Sequence, residues 1–302
     1  HTESPTLAQF FDAWPLFADA VWAGTLMGCT LGLLGTYVIV RHLVFLSAAL
    51  SQAASLGVAL SFYCAAAFGL PAMLSSPTLW ALLATVVVVL GFARPRGAHT
   101  ASDDEVLGVI YLVGIAGTLA VGTRIVEDLA DIQTLLFGTA VAVLPEDLGT
   151  IEWVCGSILV LHVVFWRGFV AVSTDPVGST IRGLPTRGLD MLLFTTLATA
   201  ISVCTEVLGA LPAFAFSVLP ALAALRFAVS IRQALILAAV FGAVEGFGGY
   251  VAAFMWELPV GASQAIVGVI MLAVASLLGI AARRLGGDSD GHTKAEVRST
   301  SR

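Results

Sequence analysis

The sequence predicts an all-α protein that crosses a membrane about nine times, and its composition and the length of its apolar runs support this prediction. Hydrophobic residues make up 58% of the 302 residues and charged residues only 11%, whereas a soluble domain carries about 25% charged residues. The mean hydropathy is +0.97. Apolar runs of about 20 residues recur from Phe17 to Leu278, and each is long enough to cross a hydrocarbon core of about 30 Å.

Nine apolar segments qualify as membrane spans. In chain order they are 18–40, 43–68, 76–93, 105–122, 148–166, 190–206, 208–225, 233–255 and 262–281. The seventh is the weakest, because it is short and because Pro212 and Pro220 each remove a backbone donor. It could be a broken or re-entrant segment, so eight spans remain the alternative.

The basic residues predict the orientation of these spans. Thirteen of the 14 lysines and arginines follow odd-numbered spans, and only Arg124 follows an even-numbered one. Because cytoplasmic loops carry the excess of basic residues, we expect the N-terminus outside and the C-terminus in the cytoplasm. The chain then divides into an extracytoplasmic segment 1–17, a membrane domain 18–281 and a cytoplasmic tail 282–302 that we expect to be disordered. Residues 1–19 have no basic n-region, so we expect no signal peptide there.

The spans carry few motifs that indicate chemistry of their own. The sequence has neither a GxxxxGK[ST] nor a GxGxxG motif, which excludes nucleotide-binding loops of these two types. The four cysteines lie in apolar runs without CxxC or Cys/His spacing, and we expect them to be small buried hydrophobes. Glycines at helix-packing intervals are expected to let spans approach closely; they are Gly24, Gly28, Gly32, Gly242, Gly246 and Gly249.

The loop between the fifth and sixth spans, residues 170–189, has the start and stop signals of a short helix. Ser173 or Thr174 could cap it, and Asp175 and Pro176 suit its first turn. The stop signals are Gly183 and Pro185. A short helix at the cytoplasmic surface is what a membrane subunit would present to a cytoplasmic motor. An ordinary interfacial loop is the alternative that the spacing leaves open.

The segment 123–147, on the predicted outer side, is long and acidic. Its carboxylates are Glu127, Asp128, Asp131, Glu146 and Asp147. Between them lies an apolar stretch, 135–144, that is too short to span a membrane. The segment could be an interfacial helix or a docking surface for a protein outside the membrane, and a solvated acidic loop is the alternative.

Several segments, taken in order, resemble the membrane permease of zinc and manganese ABC importers. They are GLLGTYVIVRHLVFLSAALSQAASLGVAL (32–60), DDEVLGVIYL (103–112), LLFGTAVAVLPEDL (135–148), STDPVGSTIRGLPTRGLDMLL (173–193), VLGALPAFAFSVLPALAALRFA (207–228) and ELPVGAS (257–263). FGTAVAVLPEDL and VLGAL…LPALAA are the most specific of them. The resemblance covers about residues 20 to 281 in the family's order.

The resemblance implies a multi-pass protein of the bacterial cell (inner) membrane that works in a larger assembly. In that family two permeases pair with two cytoplasmic ATPases, which bind ATP and magnesium, and an extracytoplasmic protein delivers the metal. The chain would have no catalytic site or cofactor of its own and no nucleic-acid partner, and Asp128, Asp131, Glu146 and Asp147 would face the delivery protein. Its ATPase-coupling residues would be Thr174, Asp175, Pro176, Gly178, Ile181, Arg182, Gly183 and Leu184.

One departure from the family's pattern concerns the cargo. Such permeases place an Asp and, one helical turn later, a His in the second span, and the matching positions here are Ala48 and Gln52. A spacing of four puts both residues on one helix face. Alanine has no ligand atom and an amide oxygen is a weak ligand, so this pair cannot hold a metal as carboxylate and imidazole would.

Ionisable residues inside the spans are therefore the remaining pathway candidates, since a charge at membrane depth costs about 2.5–3.5 kcal/mol on insertion scales. Glu245 lies among glycines, and Glu206 lies near the outer end of its span. A helix–helix hydrogen bond is the alternative role for the first, and an interfacial position for the second. Gln52 could line the pathway without being a ligand, and His162 is expected to be a packing residue.

Three functions are compatible with these patterns. The first is an ABC-importer permease for zinc or manganese that works by ATP-driven alternating access. The second is a permease of the same fold for a metal chelate or another small solute, which the residues Ala48 and Gln52 favour. An intramembrane enzyme is the remote third, because Ser217 and His162 are its best nucleophile and base and no GxSxG or HExxH accompanies them.

Overall fold

A computed structural model describes residues 7–69, 71, 74–92, 101–125, 143 and 145–299, and the described residues form twelve helices. These are α1 (Leu7–Asp12), α2 (Trp14–Val40), α3 (Val44–Phe68), α4 (Pro77–Phe92), α5 (Ala101–Ile125), α6 (Pro145–Val164), α7 (Trp166–Thr174), α8 (Pro176–Ile181), α9 (Thr186–Leu208), α10 (Ala210–Phe227), α11 (Ile231–Trp256) and α12 (Val260–Ser299).

The long helices confirm the all-α membrane fold and coincide with the predicted spans. Within the described ranges, eight helices are long and apolar enough to cross a membrane. The helix α4 is the ninth and has 16 residues, so it rises about 24 Å against a core of about 30 Å. The predicted seventh span, α10, is continuous through Pro220. The shortest of the nine predicted spans is therefore the third and not the seventh.

The helices α2 and α11 make the closest contact between two spans. A Cβ atom on Gly28 would collide with the carbonyl of Gly242, and one on Gly32 with the carbonyl of Ala238. The contact positions rise along one helix and fall along the other, so the two helices are antiparallel. Glycine allows this approach because it has no Cβ, which agrees with the packing role that the spacing indicated.

The direction of α3 and α5 agrees with successive crossings. Gly114 lies against the backbone of Gln52, and Gly117 lies against the side chain of Leu56. The contact positions increase together along both helices, so the second and fourth predicted spans run parallel. Two even-numbered spans must do so if each helix in turn crosses the membrane.

The short helix α4 runs antiparallel to α9. The Thr85 and Ser202 hydroxyls lie 2.8 Å apart, and Thr78 Oγ1 donates to Glu206 Oε1 over 2.9 Å. The third and sixth predicted spans thus have the opposite directions that nine successive crossings require. In the apolar interior, hydroxyl pairs of this kind satisfy polar groups that would otherwise be costly to bury.

The structure describes part of each predicted terminal segment. Phe10 of α1 is buried against Phe254, with ring centroids 5.4 Å apart, so part of the predicted outer segment packs on the bundle. The helix α12 is assigned as far as Ser299, and the disorder expected for the tail 282–302 stays a prediction.

Candidate functional site

The loop predicted to contact a motor contains the short helix α8, and Asp175 begins it. Asp175 Oδ1 accepts a hydrogen bond from the Gly178 N–H at 2.8 Å, and Pro176 follows as the first helical residue. The cap is therefore Asp175 and not Ser173 or Thr174. These two residues still belong to α7, which runs through Thr174 and so leaves the next residue as the cap.

The helix α8 ends at a left-handed glycine. Gly183 has φ 76°, its N–H donates to the Thr180 carbonyl, and the Leu184 N–H donates to the Ser179 carbonyl. This pair of bonds is the Schellman arrangement, which satisfies carbonyls at a helix C-terminus. The predicted stop at Gly183 is thus confirmed. The helix α8 is therefore a short helix of six residues, with a side-chain cap at its start and a left-handed glycine after its end.

The outer face of α8 is apolar and exposed. Val177 is 70% exposed and Ile181 81% exposed, and a spacing of four puts both side chains on one face of the helix. Ser179 on the inner face is fully buried. The exposed Arg182 donates from Nη2 to Asp175 Oδ2 over 3.1 Å. The loop therefore offers two apolar side chains, with an ion pair beside them.

Arg41, at the end of α2, connects three elements beneath this helix. Its Nη1 donates to Asp190 Oδ1 of α9 over 2.6 Å, and its Nε donates to Ser173 Oγ of α7 over 2.9 Å. The guanidinium also lies 5.7 Å from the centroid of the Phe194 ring. The Arg41 side chain is 9% exposed and that of Asp190 37%. We did not predict this network, although an acid at the start of a span beside a basic loop is a usable signal.

His162 packs at the same end of the bundle. Its ring stacks on Phe169 at 4.5 Å and 12°, and Tyr37 lies 5.8 Å from it. Its Nδ1 is 2.9 Å from the carbonyl oxygen of Ile158. The ring joins α2, α6 and α7, which agrees with the packing role expected for it.

Gln52 lies in the contact between α3 and α5. Its backbone is covered by Gly114, and its Oε1 is buried without a hydrogen-bond partner among the described residues. Ala48, one turn earlier, is 6% exposed. A buried amide oxygen without a hydrogen-bond partner is unfavourable. A polar group bound beside Gln52 would therefore be stabilised by its Oε1 atom.

Glu206 and Asp147 lie in one small cavity. The cavity has a volume of about 130 Å³ and also contains Thr78 and Thr150 in its wall. Glu206 comes from the end of α9, and Asp147 is an exposed residue of the first turn of α6. The sequence assigned one to the pathway and the other to the outer docking segment, and the structure puts them together.

Glu245 is fully buried between helices. A Cβ atom on Gly268 of α12 would collide with Glu245 Oε1, and Leu219 of α10 lies beside it. Neither carboxylate oxygen has a hydrogen-bond partner among the described residues. Gln264 is also fully buried, and neither of its amide atoms has a partner in the described part of the chain; Gly249 lies against it. Sequence reasoning missed Gln264, whose only signal is an amide inside an apolar span.

The pathway candidates do not form one cluster. Gln52 lies between α3 and α5, Glu206 lies between α4, α6 and α9, and Glu245 lies between α10, α11 and α12. Over the described ranges, no three His, Cys, Asp or Glu side chains are close enough to share a metal ion. Of the predicted docking residues, Glu146 lies in the first turn of α6, and Asp128 and Asp131 lie outside the described residues.

Comparison with known proteins gives matches along almost the whole chain. Residues 13–279 match the model of the ABC 3 transport family. The manganese transport system membrane protein MntC of Halalkalibacterium halodurans is 23% identical over 272 residues, which are 89% of this chain and 90% of that protein.

Two solved structures share the fold. PsaBC from Streptococcus pneumoniae, in complex with a Fab, matches with a TM-score of 0.76 at 22% identity over 89% of this chain and 95% of that one. An inward-facing transporter assigned to the metal-chelate ABC type matches with a TM-score of 0.65 at 14% identity over 91% of each chain.

Proposed function

The chain belongs to the ABC 3 transport family, and we propose that it is the membrane permease of an ABC importer for a divalent transition metal, zinc or manganese. The family match over residues 13–279 is the observation that carries this proposal. The name of the manganese transport relative supports the cargo class. In this role the chain moves substrate, and a separate cytoplasmic ATPase hydrolyses ATP with magnesium.

The proposed assembly has two copies of this permease, two ATPases and an extracytoplasmic binding protein in a bacterial inner membrane. The exposed apolar face of α8 is its ATPase-docking surface. Val177 and Ile181 would fill a pocket of the ATPase, since burying one such side chain contributes about 1.5–3 kcal/mol. Asp147 and Glu146, at the other end of α6, would face the binding protein together with Asp128 and Asp131.

The mechanism is alternating access driven through α8. When the ATPases close, α8 moves with them, and its neighbours α7 and α9 follow. The bonds of Arg41 to Ser173 and Asp190 pass this movement to α2. The glycine contact passes it on to α11, because closely packed interiors have low compressibility and transmit strain.

The cargo is the finer part of the proposal. Gln52 supplies an unpaired amide oxygen to the proposed pathway, and Ala48 supplies nothing. A chelate, whose ligands travel with the metal, is the second candidate, and the likeness to a transporter of the metal-chelate type favours it. Glu206, with Asp147 beside it, is the best oxygen-rich position for a free ion along the described chain.

Docking is tested with charged substitutions on α8. Val177→Asp combined with Ile181→Asp should reduce co-purification of the ATPase at least tenfold, because two carboxylates would enter an apolar interface. Val229→Asp is the matched control, since Val229 is 92% exposed in the loop before α11, at the predicted cytoplasmic side. If the control and the double variant lose the ATPase equally, α8 is not the docking surface.

A further inference from the structure

A deep apolar groove runs along the outside of the bundle between α2, α6 and α11. Its volume is about 1000 Å³. Its wall on α11 includes Ile236, Val240 and Val244, which are 56%, 51% and 53% exposed. The other apolar side chains that define its shape are Val21, Leu33 and Phe247.

One end of the groove carries two arginines on a tryptophan. The guanidinium carbons of Arg167 and Arg232 lie 5.8 Å and 6.0 Å from the centroid of the Trp166 ring, and all three residues line the groove. No carboxylate among the described residues forms a salt bridge with either arginine. Both cations lie near one indole ring, and an anion bound between them would offset the repulsion between their like charges.

Two buried polar groups lie at the same end of the groove. Tyr37 and His162 line it, and each is 1% exposed. The Tyr37 hydroxyl and His162 Nε2 have no hydrogen-bond partner among the described residues. Buried polar atoms without partners are rare in folded proteins, so a polar group bound at this end of the groove would satisfy both atoms.

We propose that this groove binds an anionic glycerophospholipid, with its phosphate between Arg167 and Arg232 and its acyl chains along α2 and α11. Arg232 and Gly248 both line the groove, and at 1.5 Å per residue they are about 24 Å apart along α11. Half of a hydrocarbon core of about 30 Å is about 15 Å deep, so the groove is long enough to hold the full length of the acyl chains of one leaflet. Basic pockets between membrane helices are known to hold anionic lipid headgroups.

The chemistry of the groove favours a lipid over a peptide. Its apolar wall offers few hydrogen-bonding groups, so an extended peptide backbone lying there would have unsatisfied N–H and C=O groups. A phospholipid has one anionic head and two chains without polar groups. This distribution matches a groove with polar groups at one end and apolar side chains along the rest.

The test compares lipid binding to variants of the full chain. The chain is purified in a mild non-ionic detergent and titrated with phosphatidylglycerol or phosphatidylcholine of identical acyl chains, and bound lipid is counted by native mass spectrometry. We expect phosphatidylglycerol to bind at least about tenfold more tightly, because each basic residue near the headgroup favours the anion. Arg167→Gln combined with Arg232→Gln should abolish that preference and leave phosphatidylcholine binding unchanged.

A matched control removes two arginines elsewhere at the same end of the molecule. Arg187→Gln combined with Arg226→Gln lowers the charge equally but lies outside the groove, and it should keep the lipid preference. Arg167→Lys combined with Arg232→Lys retains both positive charges and should keep part of the lipid preference. This variant separates the loss of charge from misfolding as the cause of any change in the glutamine variant. The proposal is overturned if the wild type shows no preference, or if the control variant loses it to the same extent.

A second arm separates the acyl chains from the phosphate. Ala243→Phe narrows the groove midway along α11 without changing its arginines. It should weaken the binding of both lipids several-fold. Glycerol 3-phosphate, which has the phosphate and no chains, should not displace bound phosphatidylglycerol at equal concentration. Displacement by glycerol 3-phosphate would mean that the arginines bind a soluble anion and would overturn the lipid assignment.

Discussion

Removing the carboxylate of Asp190 tests how the end of the bundle beneath α8 is held together. The pair with Arg41 is short, at 2.6 Å, and Arg41 is 9% exposed. Breaking a fully buried pair by removing one partner costs about 3–5 kcal/mol, whereas an exposed pair is worth about 0–1 kcal/mol. Because Asp190 is 37% exposed, we expect Asp190→Asn to lower the free energy of unfolding by an intermediate amount, about 2 kcal/mol.

The assay is a double-mutant cycle on the purified chain in detergent, with thermal unfolding as the readout. Arg41→Gln, Asp190→Asn and the double variant should give a coupling energy of about 1–2 kcal/mol. The same cycle on Asp175 and Arg182, whose side chains are 56% and 61% exposed, should give less than about 1 kcal/mol.

The pair also has a predicted role in transport. If it passes movement from α8 to α2, Asp190→Asn should reduce ATP-driven uptake while the ATPase still binds. Additive stabilities for the first pair, within about 0.5 kcal/mol, would show that Arg41 and Asp190 do not interact and would refute the reasoning. Unchanged uptake would remove the pair from the transport mechanism but not from the fold.

Three further predictions follow from single contacts. Gly28→Ala should lower the free energy of unfolding by about 1–3 kcal/mol, because its Cβ would meet a carbonyl of α11. Gly108→Ala is the control, since a Cβ there would meet open space, and it should not lower the free energy of unfolding. Equal shifts in thermal unfolding for the two variants would contradict this. Asp175→Ala should speed hydrogen exchange in α8, because it removes a cap worth about 1 kcal/mol. Asp175→Asn keeps an acceptor at this position and should show most of the wild-type protection. Equal exchange rates in the two variants would show that Asp175 does not cap α8. Glu206→Gln should reduce metal uptake at limiting concentration several-fold without unfolding the protein, and unchanged uptake would exclude Glu206 from the pathway.

The positions of the long helices along the chain were largely predictable, because the length of an apolar run reports directly on the thickness of a hydrocarbon core. The differences concern where individual helices begin, end or continue, which the pattern of apolar residues does not show. Pro212 and Pro220 left a broken seventh span open as an alternative, but α10 is continuous through Pro220, since neighbouring helices can compensate for a lost donor. The cap at Asp175 was displaced by one residue because α7 extends to Thr174, and no sequence signal marks where that helix stops.

The candidate site was predictable only one residue at a time. Asp147 belongs to the predicted outer segment and Glu206 to the sixth predicted span, and only the packing of α6 against α9 puts them in one cavity. Arg41 was interpreted as a topology signal, and its partner Asp190 is 149 residues away in the chain. Long-range pairings of this kind depend on which helix faces meet, and apolar spans with little periodicity do not encode that information.

Uptake by the reconstituted assembly tests the central claim most directly. The permease, its ATPase and the binding protein are placed in liposomes, and ATP-dependent accumulation of manganese and zinc is measured as free ions and as chelates. The account predicts uptake of at least one of these forms, and its loss when Val177 and Ile181 are both replaced by aspartate. Uptake of a chelate alone would select the second cargo. If no form of either metal accumulates with ATP while the assembly remains intact, the metal-permease assignment is wrong.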